Sequence, residues 1–195
     1  KITSDKYMEY PRYTKANIRC LDQTWIIPDF ASFINQYGEI FVKGEYNFIP
    51  TRNDSINIID FGANIGMSVR YFCERYPEAQ IEAYEADPNI FTFLKENVRN
   101  YPQRCGKKIK LVNAAVWNSN TELEFYTEGA DGGRVSGTNR KNNTVKVKAV
   151  SGSDVISRYA HIDMLKIDIE GAETKVLINI TAQLNKVDNI FVEYH

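Results

Sequence analysis

The sequence lacks several features that would place a protein in a class at first sight. Its 195 residues carry a formal net charge of −1 at pH 7, so overall electrostatics give no support to nucleic acid as a partner. No apolar run is long enough to cross a bilayer, and the first residues carry no secretory signal. These absences predict a cytoplasmic protein with neither a nucleic-acid nor a membrane partner.

Several chemical motifs are also missing. The three cysteines are odd in number and share no C-x-x-C spacing, which argues against a disulfide framework or a zinc site. No G-x-x-x-x-G-K-[ST] motif is present, so a P-loop nucleoside triphosphatase is excluded. The dinucleotide fingerprint G-x-G-x-x-G is broken as well, because its three glycine positions hold Gly62, Asn64 and Met67.

From residue 56 onward, the sequence contains a regular alternation of strand and helix patterns. Apolar runs and helical stripes predict strands at 56–60, 81–85, 109–116, 165–168 and 189–194, and helices at 66–76, from 88, and at 171–184. Such alternation predicts an α/β, Rossmann-like fold with a mostly parallel central sheet and helices on both faces. Two more strand patterns, at 122–126 and 144–150, predict an extra β-hairpin insertion.

We divide the chain into two parts. Residues 1–55, rich in aromatics and broken by proline and glycine, predict an N-terminal cap or substrate-side segment with short helices and a small β element around 40–48. Residues 56–195 predict the Rossmann-like domain, in which the glycine-rich stretch 129–143 is interpreted as a mobile lid. Because the chain ends on the fifth predicted strand, which a further helix would normally cover, we expect the domain to be incomplete at its C-terminal end.

The first candidate site is the corner at residues 60–66, where a buried strand runs into a tight turn and then a helix. Glycine lets the backbone turn sharply and lets a ligand approach closely, and the helix N-terminus offers free N–H groups. Glu85 closes the second strand, where an acid can accept hydrogen bonds from both ribose hydroxyls. Alone, a plain strand–helix turn and a solvated charge would explain these features; together they predict a nucleoside-bearing ligand.

The chemistry of the corner narrows the choice of nucleoside. Asp60 precedes the first glycine, so its carboxylate is expected to bind an ammonium group, directly or through water, while loop N–H groups bind a carboxylate. S-adenosylmethionine, a nucleoside with an amino-acid tail, meets both requirements. Two other classes stay open: an NAD-dependent oxidoreductase, disfavoured by the broken fingerprint, and a non-catalytic nucleoside-binding module.

Four segments, in this order along the chain, carry a family resemblance: DFGANIG at 60–66, YEADP at 84–88, NAAV at 113–116 and LKIDIEGAE at 165–173. With them, residues 40–195 resemble the FkbM-type methyltransferases, class I S-adenosylmethionine-dependent enzymes of which many methylate hydroxyls on sugars or polyketides. The resemblance implies a Rossmann-like class I methyltransferase fold and O-methylation of a hydroxyl on a sugar, polysaccharide or small-molecule natural product. The partner would therefore be a small-molecule or carbohydrate acceptor.

The resemblance also implies which residues bind S-adenosylmethionine. The corner is expected to hold the methionine portion and Glu85 the ribose, with the adenine near the end of the third strand and Asp168 facing the sulfonium or the acceptor. The implied set is Asp60, Phe61, Gly62, Ala63, Asn64, Gly66, Glu85, Ala86, Asn113, Ala114 and Asp168.

A hydroxyl acceptor must lose its proton, and its pKa lies far above 7. The candidates for a catalytic base are Asp168, Glu170, Glu193 and His195. The acids near Asp168 are also explained by the preference of a helix N-terminus for negative charge, and a terminal histidine is often merely exposed. A divalent metal is compatible with these acids but is not predicted, and a homo-oligomer is left open.

Overall fold

A computed structural model describes residues 11–51, 56–101, 108–127, 134–135 and 144–195. Its strands are β1 (Ala16–Cys20), β2 (Gln23–Ile27), β3 (Asn57–Phe61), β4 (Gln80–Glu85), β5 (Ile109–Asn113), β6 (Ala115–Trp117), β7 (Thr121–Tyr126), β8 (Arg134–Val135), β9 (Thr144–Ser151), β10 (Ile162–Ile167) and β11 (Val187–Val192). Its helices are α1 (Phe30–Tyr37), a π-helical turn (Gly38–Lys43), α2 (Met67–Arg75), α3 (Pro88–Arg99), α4 (Gly152–Ser157), α5 (Glu173–Ile180) and a 3₁₀ segment (Thr181–Lys186).

The central sheet confirms the predicted α/β architecture. Its five strands run parallel in the order β11-β10-β3-β4-β5. The chain moves outward from β3 through β4 to β5 and later fills the other side with β10 and β11, so the strand order reverses between β3 and β10. In open α/β sheets, ligands bind beyond the carboxyl ends of the strands at such a reversal.

Helices cover both faces of this sheet because its strands alternate their apolar side chains. Ile58 packs on one face with residues from α1, α2 and α3, among them Phe33, Phe72 and Leu94. The next residue, Ile59, packs on the other face with residues from α4 and α5, including Ile156 and Val176. Strands buried on both faces read as continuous apolar runs, which is why this part of the fold could be predicted.

The predicted third strand, 109–116, is divided between two sheets. Its first part, β5, pairs with β4 in the central sheet from Ile109 to Asn113, whereas β6 pairs in parallel with β9 in a second sheet of order β6-β9-β7-β8. Ala114 makes the turn between them, with its N–H donating to the carbonyl of Val112 at 3.2 Å. The predicted extra pair is confirmed, since β7 and β9 are antiparallel neighbours.

The N-terminal segment differs from its prediction. The expected β element around 40–48 is wrong: Gly38–Lys43 continues α1 as a π-helical turn that ends at Gly44, whose φ is 72°. Its apolar residues do not alternate in burial as strand residues would, since Ile40 is buried and Val42 is 71% exposed. The β element lies earlier, where β1 and β2 form an antiparallel hairpin.

The segment 129–143, interpreted from the sequence as a lid, falls outside the described residues except for the short strand β8. Within the ranges given above, no helix combines the length and the apolar character needed to span a bilayer.

Candidate active site

A cavity of about 380 Å³ opens at the carboxyl ends of the central strands. Its volume lies within the range of small-molecule sites, about 300–1,000 Å³. The corner after β3 and the loop after β4 form one side, and the segment after β10 forms the other. Residues from α1 and the π-helical turn also line it, so the N-terminal segment contributes directly to the cavity.

Most of the predicted site residues line this one cavity. Of the predicted cofactor residues it is lined by Gly62, Ala63, Asn64, Glu85, Ala86, Ala114 and Asp168. The predicted catalytic residues Asp168, Glu170, Glu193 and His195 all line it as well. The glycine corner and Glu85 therefore face the same space, as a single nucleoside ligand would require.

Four predicted cofactor residues, namely Asp60, Phe61, Gly66 and Asn113, are absent from the cavity lining found among the described residues. The Phe61 ring is fully buried and packs edge-on against Tyr84 at 5.5 Å. The Asn113 side-chain amide donates to the carbonyls of Glu85 and Ala86 at 2.9 and 3.3 Å. Both side chains hold the lining in place, and neither contributes its own surface to the cavity.

The two glycines of the corner are required by close neighbours within the protein. Gly62 has a φ of +91°, and a Cβ there would lie 1.7 Å from the backbone oxygen of Asp168. Gly66 has a φ of +99°, and a Cβ there would lie 2.7 Å from the Tyr101 hydroxyl. From the sequence, we explained these glycines by the close approach of a ligand. In the structure, their backbone conformation and their packing against other residues are sufficient to require glycine at both positions.

Glu85 is held with its carboxylate at the cavity wall. Its two oxygens accept from the backbone N–H groups of Asn64 at 2.9 Å and Asp87 at 2.8 Å. Burial raises the pKa of Glu85 to about 7, although these two N–H donors oppose the rise. Asp87 itself caps α3, accepting from the N–H groups of Asn89 and Ile90.

The raised pKa of Glu85 predicts a pH-dependent stability. The folded protein binds the Glu85 proton more tightly than the unfolded chain does, so this residue stabilises most below its ordinary pKa of 4.5. Its contribution is lost as pH rises from about 4.5 to about 7, by about 3 kcal/mol in total. Urea unfolding at a series of pH values measures it, with Glu85→Gln as the reference. Equal pH slopes for wild type and Glu85→Gln between these values would contradict the prediction.

Lys166 also lines the cavity, and sequence reasoning did not single it out. It is 1% exposed, on β10, and its ammonium group donates to the carbonyl of Gly62 at 2.7 Å. The same nitrogen lies 3.2 Å from carboxylate oxygens of both Asp60 and Asp168. Burial alone would lower the pKa of Lys166, but Asp168 and Asp60 raise it well above its usual value. A lysine inside the apolar run of a central strand was the available signal, because such a charge needs partners.

The surroundings of Asp60 differ from the expectation that its carboxylate receives a ligand ammonium. Asp60 is fully buried, and its charge is matched by Lys166 and by the Ser68 hydroxyl, which donates to it at 2.5 Å. The ammonium group beside Asp60 in this structure is that of Lys166. Asp60 fixes Lys166, and Lys166 in turn fixes the corner through Gly62.

A cluster of ionisable side chains forms the end of the cavity beyond β10 and β11. His195 lies 3.3 Å from Glu173 and 3.7 Å from both Glu170 and Glu193. Burial alone would lower the pKa of His195, but Glu170, Glu173 and Asp168 raise it. Burial also raises the pKa of Glu193.

The acids of this cluster differ in what they contact. Glu173 accepts from the N–H groups of Ile169 and Gly171 at the start of α5, which agrees with its interpretation as an acid at a helix N-terminus. One ligand atom each from Asp168, Glu193 and His195 lies within 4.8 Å of the others, so these three side chains could hold a divalent cation.

The fold and this cavity define a class I methyltransferase of the Rossmann-like type. The chain matches the family described as "Methyltransferase FkbM domain" over residues 60–195, and it belongs to that family.

Curated relatives are methyltransferases at low sequence identity. The chain is 25% identical to "Methyltransferase 1" of Beauveria bassiana over 177 residues, covering 80% of this chain and 70% of that protein. It is 26% identical to the "2-O-methyltransferase NoeI" of Sinorhizobium fredii, covering 70% and 62%. It is 27% identical to the "Hexuronic acid methyltransferase AglP" of Haloferax volcanii, covering 70% and 54%. The chain thus spans between about half and about seven-tenths of the length of these three relatives.

Solved structures resemble the chain more distantly. A fibrillarin/Nop5p complex aligns with a TM-score of 0.47 at 14% identity, covering 85% of this chain and 62% of that one. A putative caffeoyl-CoA O-methyltransferase from Staphylococcus aureus aligns with a TM-score of 0.43 at 12% identity, covering 82% and 65%. TM-scores this low carry no inference about activity.

Proposed function

We propose that the protein transfers the methyl group of S-adenosylmethionine to a hydroxyl oxygen of a sugar, polysaccharide or small-molecule natural product. The observation that carries the proposal is the convergence of the glycine corner, Glu85 and Asp168 on one cavity. Two of the relatives support the acceptor class, since their names specify a 2-O-methyltransferase and a hexuronic acid methyltransferase.

The residues present fit this cofactor. Each Glu85 oxygen accepts one backbone N–H and keeps a further lone pair for a ribose hydroxyl. Ala86 and Ala114 give that end of the cavity small apolar walls, which suit an adenine ring. In our proposal the methionine portion lies along Gly62, Ala63 and Asn64, while Asp60, Phe61, Gly66 and Asn113 support these contacts from behind.

When bound, S-adenosylmethionine supplies an electrophilic methyl group on a sulfonium. The protein must align the acceptor oxygen with that methyl and exclude water. Asp168, with a quarter of its side chain exposed beside Lys166, is placed to accept the hydroxyl proton. Glu193 is the second carboxylate candidate. The raised pKa of His195 keeps its ring protonated over more of the neutral range, so His195 and its partner Glu170 are better suited to orienting the acceptor than to removing its proton.

The acceptor side of the cavity is polar. Asn35 and Gln36 of α1 and Glu39 of the π-helical turn contribute to the lining. Amides and carboxylates bind hydroxyl-rich ligands through several hydrogen bonds at once. This composition supports a sugar more than an apolar acceptor.

A binding experiment tests the cofactor half of the proposal. At a pH of about 8.5, above the raised pKa of Glu85, Glu85→Gln is expected to weaken S-adenosylmethionine binding by about 10- to 100-fold, because hydrogen bonds from the ribose to a charged acceptor contribute about 1.5–3 kcal/mol. Calorimetric titration with S-adenosylmethionine and S-adenosylhomocysteine measures the change. Glu78→Gln, an exposed carboxylate paired with Lys108 at 2.8 Å, is the matched control and should bind as the wild type does.

The outcomes separate the proposal from its two rivals. An affinity of Glu85→Gln equal to that of the control would refute the ribose assignment, and tight NAD binding in a fluorescence titration would favour an oxidoreductase. Release of S-adenosylhomocysteine in the presence of hexuronic acid or neutral hexose glycosides would establish transfer to a sugar. Cofactor binding without turnover on any hydroxyl acceptor would favour a non-catalytic module.

A further inference from the structure

A second group of side chains able to bind a metal lies at the amino ends of the central strands, opposite the cavity. It consists of His161, just before β10, Asp163 on β10, and Asp188 on the neighbouring strand β11. Asp163 lies at the amino end of β10, and Asp168 follows its carboxyl end. Five residues of extended chain separate these positions by about 17 Å, so this group is independent of the cavity and of the function proposed for it.

The three side chains converge on one ring nitrogen. His161 Nε2 lies 3.1 Å from an oxygen of Asp188 and 3.6 Å from Oδ1 of Asp163. Neither contact has the geometry of a hydrogen bond: among the residues described, His161 Nε2 and Asp163 Oδ1 are both buried atoms without a hydrogen-bond partner. A single imidazole N–H could in any case satisfy only one of the two carboxylates.

The burial of Asp163 makes this arrangement costly as it stands. Its side chain is fully buried, and His161 is the one ionisable partner within ion-pair distance among the described residues. Asp163 Oδ2 accepts one backbone N–H, but Oδ1 has no hydrogen-bond partner among the described residues, and a buried polar atom left unpaired costs about 1–3 kcal/mol, more when it is charged. A cation at the point of convergence would remove that cost.

We propose that His161, Asp163 and Asp188 bind a divalent first-row transition-metal ion. Zinc bonds of about 2.0–2.2 Å to nitrogen and oxygen place neighbouring ligand atoms about 3.0–3.5 Å apart in tetrahedral or octahedral geometry. The two separations from Nε2, 3.1 and 3.6 Å, agree with that spacing. One imidazole with two carboxylates suits zinc and its neighbours better than magnesium or calcium, which prefer oxygen ligands alone.

The surroundings supply the rest of a metal site. The other oxygen of Asp163 accepts the backbone N–H of Asn57 at 2.8 Å, and the Thr51 hydroxyl donates to Asp188. Such outer contacts orient metal ligands. The side chains of His161 and Asp188 are 14% and 26% exposed, so an ion can reach the site from solvent, and water can complete the coordination. The ion would fasten β11, at the edge of the sheet, to β10.

Zinc binding can be assigned to one site because each of the two candidate sites contains one histidine. The chain has only two histidines: His161 belongs to this site, and His195 to the cluster in the cavity. Untagged protein is treated with EDTA and then titrated with ZnCl₂ by calorimetry, and its melting temperature is recorded with and without Zn²⁺. We expect one equivalent to bind with a Kd below about 10 μM and to raise the melting temperature by several degrees at about 100-fold excess over Kd.

Two variants assign the site. His161→Gln and Asp188→Asn should each weaken binding of this zinc equivalent by at least about 30-fold. His195→Gln alters only the separate group of Asp168, Glu193 and His195, which could also hold a cation, and should leave this equivalent in place. If either substitution impairs folding, the ring nitrogen signals of His161 in the wild-type ¹⁵N spectrum give the same answer, because they must shift on adding Zn²⁺. The proposal is overturned by absence of binding, by loss of binding in His195→Gln alone, or by a His161 ring whose signals do not respond.

Discussion

Replacing Lys166 by methionine is expected to lower the free energy of unfolding by about 3–5 kcal/mol. The substitution keeps the unbranched shape of the side chain, one atom shorter, but leaves Asp60, which is fully buried, with the Ser68 hydroxyl in place of a counter-charge. It also removes the hydrogen bond to the Gly62 carbonyl. Urea unfolding followed by circular dichroism measures the loss.

Two further variants show whether the cause is the buried charge. Lys108→Met breaks an exposed ion pair with Glu78, whose side chains are 45% and 81% exposed, and should cost less than about 1 kcal/mol. Adding Asp60→Asn to Lys166→Met removes both charges and should recover part of the stability, because the uncompensated carboxylate is gone. A Lys166→Met protein about as stable as Lys108→Met would show that the buried cation contributes little.

Replacing Asp168 by asparagine is expected to reduce the methylation rate by about 10²–10⁴-fold if Asp168 removes the hydroxyl proton as proposed. Asparagine has nearly the same shape but cannot accept that proton. Cofactor affinity should stay within about threefold of the wild type, since the ribose contacts are left intact. The rate of S-adenosylhomocysteine release at saturating S-adenosylmethionine, with a sugar acceptor that supports turnover, is the measurement.

A matched exchange outside the cavity controls for indirect effects. Asp154 is exposed on α4, where it accepts from the Asn120 side chain at 2.6 Å, and Asp154→Asn should retain full activity. The pH profile separates a base from a positioning residue: loss of a base removes the acidic limb of the rate profile, whereas loss of positioning lowers the rate and leaves the limb in place. An Asp168→Asn enzyme that keeps most of its rate would transfer the role to Glu193.

The central sheet could be predicted because each strand is a short apolar run with a clear stop. Residues 57–61 and 80–85 end in a glycine corner and an Asp-Pro pair, and such local signals survive in any tertiary context. The β1–β2 hairpin carried no comparable signal. Its turn residues Leu21 and Asp22 adopt φ of 51° and 59°, a conformation usually marked by asparagine and glycine.

The cofactor side of the site was easier to predict than its supporting contacts. Glu85 and the corner lie next to recognisable strand ends, whereas the pairing of Lys166 with Asp60 joins two different strands. Sequence alone gives the alternation of a strand but not which neighbour a buried charge will meet across the sheet. The contribution of α1 to the cavity could not be predicted from the sequence either, because it depends on how the N-terminal segment packs.

The close approach of the Gly62 backbone to the Asp168 carbonyl, where a Cβ on Gly62 would lie only 1.7 Å from the oxygen, has a consequence for how donor and acceptor are kept in line. The two backbone segments are in close contact, and the Asp168 N–H donates to the carbonyl of Phe61 at 3.0 Å, so the segments resist both approach and separation. The distance between the proposed methyl-donor pocket and the proposed proton acceptor is therefore set by main-chain geometry, which thermal motion changes less than it changes a side-chain rotamer. Methyl transfer depends steeply on that distance, and any residue larger than glycine at this position would widen the gap.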